Sequence, residues 1–328
     1  VWKKNCSWDG SRLNIWLDEK TSTINVMQIE QLKKILSEFS ANVRFEHDLK
    51  KKNWFNIGGK SKVFYKANNL KELVNFLKKL NNKERIFILG AGSNTLINDT
   101  LFDGIVIKLS KNFNNISLLR EDIIIAGSAV LDKSLSDFAM NNNLSGFEFL
   151  SCIPGTIGGG IRMNAGCFGY EFKDILLSIQ AIDKSGSVIT IPSKDIIFEY
   201  RKNTLSDDLI FLSASFKGTK SNKIEIQDRI KKFKIEKDKN QPTKIKTSGS
   251  TFKNPISQTD KKVWELIKES VPLDICFGDA CISDKHCNFF VNKGNAKFID
   301  MKNLIDFVSN NVLEKTGINI EKEIKMLE

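Results

Sequence analysis

RIFILGAGSN, residues 85–94, carries an apolar run straight into a turn with glycine at positions 90 and 92. Two glycines where a strand enters a loop let backbone N–H groups come close to a phosphate. A dinucleotide fingerprint of the Rossmann kind needs a third glycine at position 95, and Thr95 stands there. The segment therefore predicts a buried strand and a phosphate-type turn outside the classical dinucleotide fold. Read alone, the turn serves equally as a plain tight turn.

Strands and helices alternate outward from it. VFYKA, before it, reads as a strand, and NNLKELVNFLKKL as a helix with Asn69 at the N-cap and Glu72 three residues on. After it, IVIKL, IIIAG, VITI and LIFLSASF read as strands and LDKSLSDFAMNNN as a helix. Upstream, Ile29, Leu32, Ile35, Leu36 and Phe39 recur at helical spacing, so the body of the fold is expected to begin near Met27. Residues 1–26, with Trp2, Trp8 and Trp16, are set apart as a poorly ordered extension.

A second block, PGTIGGGIRMNAGCFG at 154–169, is dense in glycine. So many glycines forfeit packing and cost conformational entropy. Close approach of the backbone to a flat or phosphorylated ligand explains them better than turns alone. A third block, SGSTFKNP at 248–255, sets Ser250 among turn residues, where it can be an exposed proton donor or a simple turn serine. Arg201, after an apolar stretch, can grip a carboxylate or phosphate or merely lie on the surface. Near the C-terminus Ile318, Ile320, Ile324 and Met326 alternate with Glu321, Glu323 and Lys325, as on the two faces of a strand. Lysines crowd residues 222–246, which read as a solvated helix and linker or as an anion-facing rim.

Composition bounds these readings. A chain of 328 residues exceeds one ordinary core and implies two or three domains. A net charge of +11 attracts anions without choosing among them. No apolar run is long enough to span a membrane, and no secretory signal is read at the N-terminus, so a cytoplasmic protein is expected. The cysteines Cys6, Cys152, Cys167, Cys276, Cys281 and Cys287 form no CxxC pair, which predicts free thiols and no metal site. The basic stretch holds one aromatic, Phe233, which argues against nucleic-acid binding.

In order and spacing the pieces ILGAGSNTLI, IPGTIGGGIRMNAGCFG, EYRKN, GSTFKNP, KHCNFFVN and EKEIK, with WFNIGGKS at 54–61, resemble the UDP-N-acetylenolpyruvoylglucosamine reductase family. The resemblance is to its shorter branch, because no insert separates EYRKN from the basic stretch. It implies an α+β fold: an FAD-binding region of the vanillyl-alcohol-oxidase (PCMH) type over 27–221, in two subdomains. A C-terminal substrate-binding domain over 222–328 follows, its last strand returning to the FAD-binding region.

The resemblance further implies Ser250 as proton donor with Arg201 and Glu323 as catalytic partners. It implies FAD contacts at Gly90, Ala91, Gly92, Ser93, Asn94, Gly155, Thr156, Gly158, Gly159, Asn164, Ala165 and Gly166. Tyr200, Asn254 and Lys325 would touch substrate. FAD would be held non-covalently, since neither His47 nor His286 lies near the glycine blocks in sequence. NADPH would be co-substrate, and UDP-N-acetylglucosamine enolpyruvate the acceptor in peptidoglycan precursor synthesis by a monomer. The alternative is another FAD-dependent oxidoreductase of the same fold, acting on a sugar or hydroxy acid.

Overall fold

The computed structural model describes residues 29–242 and 245–328. The expected extension at 1–26 and Cys6 lie outside them. Three units follow one another, each with its own apolar core.

The first unit is a four-stranded sheet of β1 (Val43–Asp48), β2 (Lys60–Ala67), β3 (Ile86–Ile88) and β5 (Phe102–Leu109), in the order β1-β2-β5-β3. Strands β2, β5 and β3 run parallel. Helix α1 (Leu70–Leu80) crosses between β2 and β3. It starts where expected: the Asn69 side chain accepts the Glu72 amide at 2.9 Å, and Asn69 Nδ2 donates to Glu72 Oε1 at 2.7 Å. Leu73, Phe76, Leu77 and Leu80 then fall on one face and are buried, each contributing about 1.5–3 kcal/mol. Phe76 stacks on Tyr65 of β2 with ring centroids 3.8 Å apart. Strand β3 was expected to be buried. It is the sheet's edge, and Ile86, Phe87 and Ile88 are only half-buried. An apolar run does not reveal whether both of its sides are covered.

The second unit is a five-stranded antiparallel sheet. It contains β6 (Ile116–Arg120), β7 (Ile123–Gly127), β8 (Leu176–Ile182), β9 (Val188–Pro192) and β10 (Ile210–Lys217), in the order β9-β8-β10-β7-β6. Helices α2 (Asp132–Asn141) and α3 (Ile157–Arg162) pack on its core, around Phe149, Phe172 and Phe216. The basic stretch forms α4 (Lys223–Asn240). It lies against α2 and the 3-10 turn at Glu148–Cys152, where Lys237 Nζ donates to Cys152 O at 2.7 Å. Composition changes near residue 222, but the change of core comes only after α4.

The third unit packs α5 (Val263–Ser270) and α6 (Phe298–Thr316) on a three-stranded sheet of β11 (Cys276–Phe277), β12 (Ala280–Ile282) and β13 (Phe290–Asn292). Met301, Leu304, Ile305, Val308 and Val312 make the buried stripe of α6, and Gly317 ends it in the left-handed conformation at φ 71°. The expectation of free thiols fails here. Cys276 and Cys281 are direct cross-strand partners and form a disulfide, which their spacing in sequence did not signal. Among the described residues Cys152, Cys167 and Cys287 are free thiols.

The chain end returns to the first unit. Strand β14 (Lys325–Leu327) pairs in parallel with β4 (Thr95–Ile97), the strand that follows the 90–94 turn. Among the described residues no helix is long and apolar enough to cross a membrane.

Candidate active site

Two glycine-bearing loops face each other where the first and second units meet. A Cβ on Gly90 would lie 2.7 Å from Thr156 Oγ1, and one on Gly155 would lie 2.6 Å from Asp132 Oδ2 and 3.9 Å from Ser93 Oγ. Gly92 sits at φ 68°, and a Cβ there would meet Lys52 O at 2.2 Å, so only glycine fits. Among the described residues no protein acceptor meets the amides of residues 90–94. Lys108 Nζ donates to Gly90 O at 3.0 Å. Burial, then the neighbouring Lys52 and Lys66, hold that ammonium below the usual lysine range. Unpaired amides in a loop too tight for side chains, beside a partly buried cation, fit the diphosphate of a cofactor such as FAD.

The second loop ends at Asn164, fully buried at φ 39°. Its side chain donates to Glu171 Oε2 at 2.9 Å and to Glu199 O at 3.1 Å, and accepts the Lys173 amide at 3.1 Å. Each bond fixes the backbone that carries Ala165 and Gly166.

Arg201 reaches this loop from the other side. Nη2 donates to Gly166 O at 2.8 Å and Nε to Glu323 Oε1 at 3.0 Å. Arg201 is itself left-handed at φ 59°, and its guanidinium carbon lies 4.8 Å from the centre of the Tyr200 ring. Asn254 Nδ2 touches Tyr200 Oη at 3.4 Å, and Asn254 Oδ1 accepts the Val263 amide at 3.0 Å.

Three segments converge on Glu323. Its amide donates to Thr251 O at 2.8 Å, one residue from Ser250, and its carbonyl accepts Asn94 Nδ2 at 3.1 Å. Its side chain keeps 18% exposure. Burial holds the carboxyl above the usual carboxylate range, although Arg201 and then Lys253 pull it the other way. Ser250 is half-buried and bridges to Phe289 across a two-residue pairing. Lys325 is exposed, and only its backbone amide, donating to Asn94 O at 3.0 Å, enters the arrangement. His286 stands apart as a structural histidine, its Nδ1 accepting the Asn288 amide at 3.2 Å.

Thus Arg201, Glu323, Tyr200, Asn254, Asn164, Gly166 and Asn94 form one connected network, with Ser250 a residue away along the chain. Sequence reasoning missed Glu171, which touches Asn164 and Arg201, and Asp132, fully buried beside Gly155. Neither carries a local signal. Glu171 follows a turn, and Asp132 opens a helix whose first turn would favour an acid anyway.

Residues 61–192, which hold both glycine loops, match the family model described as an FAD binding domain. Residues 241–327, which hold Ser250, Asn254 and Glu323, match the C-terminal domain of UDP-N-acetylenolpyruvoylglucosamine reductase. A protein of that name from Pelagibacter ubique (strain HTCC1062) is 67% identical over 301 residues, 92% of this chain and 100% of the relative. One from Rickettsia typhi (strain ATCC VR-144 / Wilmington) is 42% identical over 293 residues, 89% of this chain and 98% of the relative. The crystal structure of the reductase from Thermus caldophilus superposes with a TM-score of 0.74 at 28% identity, covering 87% of this chain and 98% of that one. Two facing glycine loops inside a matched FAD binding domain, a half-buried arginine–carboxylate pair near a serine turn, and relatives matched over nearly their whole length agree: the chain belongs to the UDP-N-acetylenolpyruvoylglucosamine reductase family.

Proposed function

We propose that the chain reduces the enolpyruvyl group of UDP-N-acetylglucosamine enolpyruvate to give UDP-N-acetylmuramate, with NADPH as hydride source and Ser250 as proton donor. The observation that carries the assignment of residues is the convergence on Glu323 of the cofactor loop through Asn94, the serine segment through Thr251, and Arg201. FAD, held at residues 90–94 and 155–166, supplies the hydride relay between NADPH and the double bond. The protein's own groups bind, orient and move the proton.

Hydride addition to the methylene carbon pushes negative charge onto the substrate carboxylate. A guanidinium offers five N–H donors, and the bonds of Arg201 to Gly166 O and Glu323 leave others for that carboxylate. Glu323, whose carboxyl burial holds above the usual carboxylate range, accepts from Nε and steadies the guanidinium from the other side. Ser250 then gives its proton to the adjacent carbon and recovers one from solvent. NADPH, the enolpyruvyl substrate and one proton thus become NADP+ and the saturated product. Tyr200 and Asn254 form the wall beside Arg201 and bind the sugar nucleotide. Lys325 contributes through its exposed side chain at the rim. In this reading the enzyme acts as a monomer in the cytoplasm.

Stopped-flow absorbance of the bound flavin separates the two half-reactions. Ser250→Ala is expected to bleach with NADPH at nearly the wild-type rate. Its re-oxidation by the enolpyruvyl substrate should slow by about 10²–10⁴-fold. Equal slowing of both steps in a folded, FAD-loaded variant, or of neither, removes Ser250 from the mechanism.

A further inference from the structure

Glu171 lies in the hairpin that follows the second glycine loop, with its side chain 18% exposed. Its Oε2 accepts from Asn164 Nδ2 at 2.9 Å and pairs with Lys173 Nζ at 2.8 Å. Its Oε1 lies 3.7 Å from Arg201 Nη1. The Arg201 guanidinium is therefore held between two carboxylates, Glu323 at Nε and Glu171 at Nη1, with the Tyr200 ring against it and Gly166 O on Nη2. Nη1 also donates to Asn164 O at 3.5 Å, and Glu171 holds the Asn164 side chain, so Glu171 acts on that nitrogen both directly and through Asn164. Glu323 meets the Nε side of the cation, and Glu171 stands at Nη1, on a different nitrogen.

We propose that Glu171 is the positioning residue of Arg201: it steadies the Nη1 end of the guanidinium for the substrate carboxylate and, through Asn164, couples that placement to the cofactor loop. The inference rests on the reading of Arg201 as the group that receives the developing charge. It assigns Glu171 no contact with substrate.

The test is a double-mutant cycle of Glu171→Gln and Arg201→Met, read as the two flavin half-reactions, with FAD stoichiometry and melting temperature as controls. Glu171→Gln is expected to bleach with NADPH within about twofold of wild type, because no substrate carboxylate is present in that step. Re-oxidation should slow by about 10–100-fold, the usual scale for a misplaced catalytic group. In the Arg201→Met background the same change should add almost nothing, since the group it orients has gone. A merely structural role lowers both half-reactions together and multiplies with Arg201→Met, and either result overturns the proposal. If Arg201→Met slows re-oxidation and Glu171→Gln does not, only the role of Glu171 falls. If Arg201→Met leaves re-oxidation intact, the reading of Arg201 falls and this inference with it. Should Glu171→Gln fail to load FAD, Glu171→Asp, which keeps the charge one methylene short, goes through the same cycle and must show the same split.

Discussion

Asp132 brings both carboxylate oxygens into the interior, and neither has a partner among the described residues. Burial alone raises its pKa well above the usual carboxylate range, so the folded protein holds the proton. The sign for stability follows. Above about pH 4 the unfolded chain ionises this group while the folded chain cannot, so stability falls as pH rises, by at most about 1.4 kcal/mol per unit, until the folded group titrates. Asp132→Asn keeps the shape and removes the titration. Its stability relative to wild type is expected to grow with pH from about pH 4 upward, measured by urea unfolding at a series of pH values. A stability difference that stays level with pH means that Asp132 has an acceptable charged state in the fold. Ser128 and Ser136, also buried with unpaired hydroxyls, are the groups nearest in sequence that could supply one.

At the scale of elements, α3 shows which glycines serve packing and which serve a ligand. A Cβ on Gly160 would come within 2.2 Å of the ring of Phe172, itself locked against Phe149 and Phe216. Gly160→Ala should cost about 1–3 kcal/mol by overpacking. One residue earlier, a Cβ on Gly159 meets nothing closer than Thr156 Oγ1 at 3.6 Å, an ordinary contact. Gly159→Ala in the apo-protein should therefore be neutral or gain about 0.5–1 kcal/mol from helix propensity. If FAD passes over this face, the same variant should bind it at least about tenfold more weakly by flavin-fluorescence titration; unchanged FAD affinity takes Gly159 off the cofactor's path. The sequence marked both residues merely as glycines in a rich block, because the distinction depends on Phe172 folding back onto the helix from outside it. The same limit runs through the rest of the chain. Helices α1 and α6 and the main strands were legible, since an amphipathic stripe or an apolar run is written locally. The edge position of β3, the cross-strand disulfide and the packing of the basic helix α4 on the second unit were not, since each depends on a partner distant in sequence or on register. Read from the residues alone, Ser250 suited a plain turn and Glu323 a solvated strand face as well as any chemistry, and their roles beside Arg201 came from the family resemblance; the contact between Arg201 and Glu323 joins segments 122 residues apart.

For the molecule as a whole, the end of the chain closes the architecture. Leu327 is 3% exposed and packs with Leu49, Phe64, Leu89, Ile97, Phe102 and Val106 of the first unit. Its carbonyl accepts the Asn98 amide at 2.8 Å, and Arg85 Nη1 donates to Glu328 O at 2.7 Å. Asn292 Nδ2 to Phe55 O, at 2.9 Å, and the Phe298 amide to Asp99 Oδ2, at 2.6 Å, add further ties between the third unit and the first. The third unit is thus fastened to the strand that leaves the 90–94 turn. Glu323, two residues before β14, owes its place beside Arg201 to that fastening. Two variants separate packing from placement. Leu327→Ala removes the buried side chain and keeps the strand, so it should cost about 2–5 kcal/mol while FAD affinity holds. Deleting residues 325–328 also removes the ladder that pins Asn94 and Thr95. The truncated protein should lose comparable stability and, in addition, bind FAD more weakly and re-oxidise slowly, because both the loop and Glu323 are released. Denaturant unfolding and flavin titration on the same samples decide it. A truncated chain that holds FAD as tightly as the full one shows that the cofactor loop keeps its shape without the returning strand, and that the third unit's other ties suffice to place Glu323.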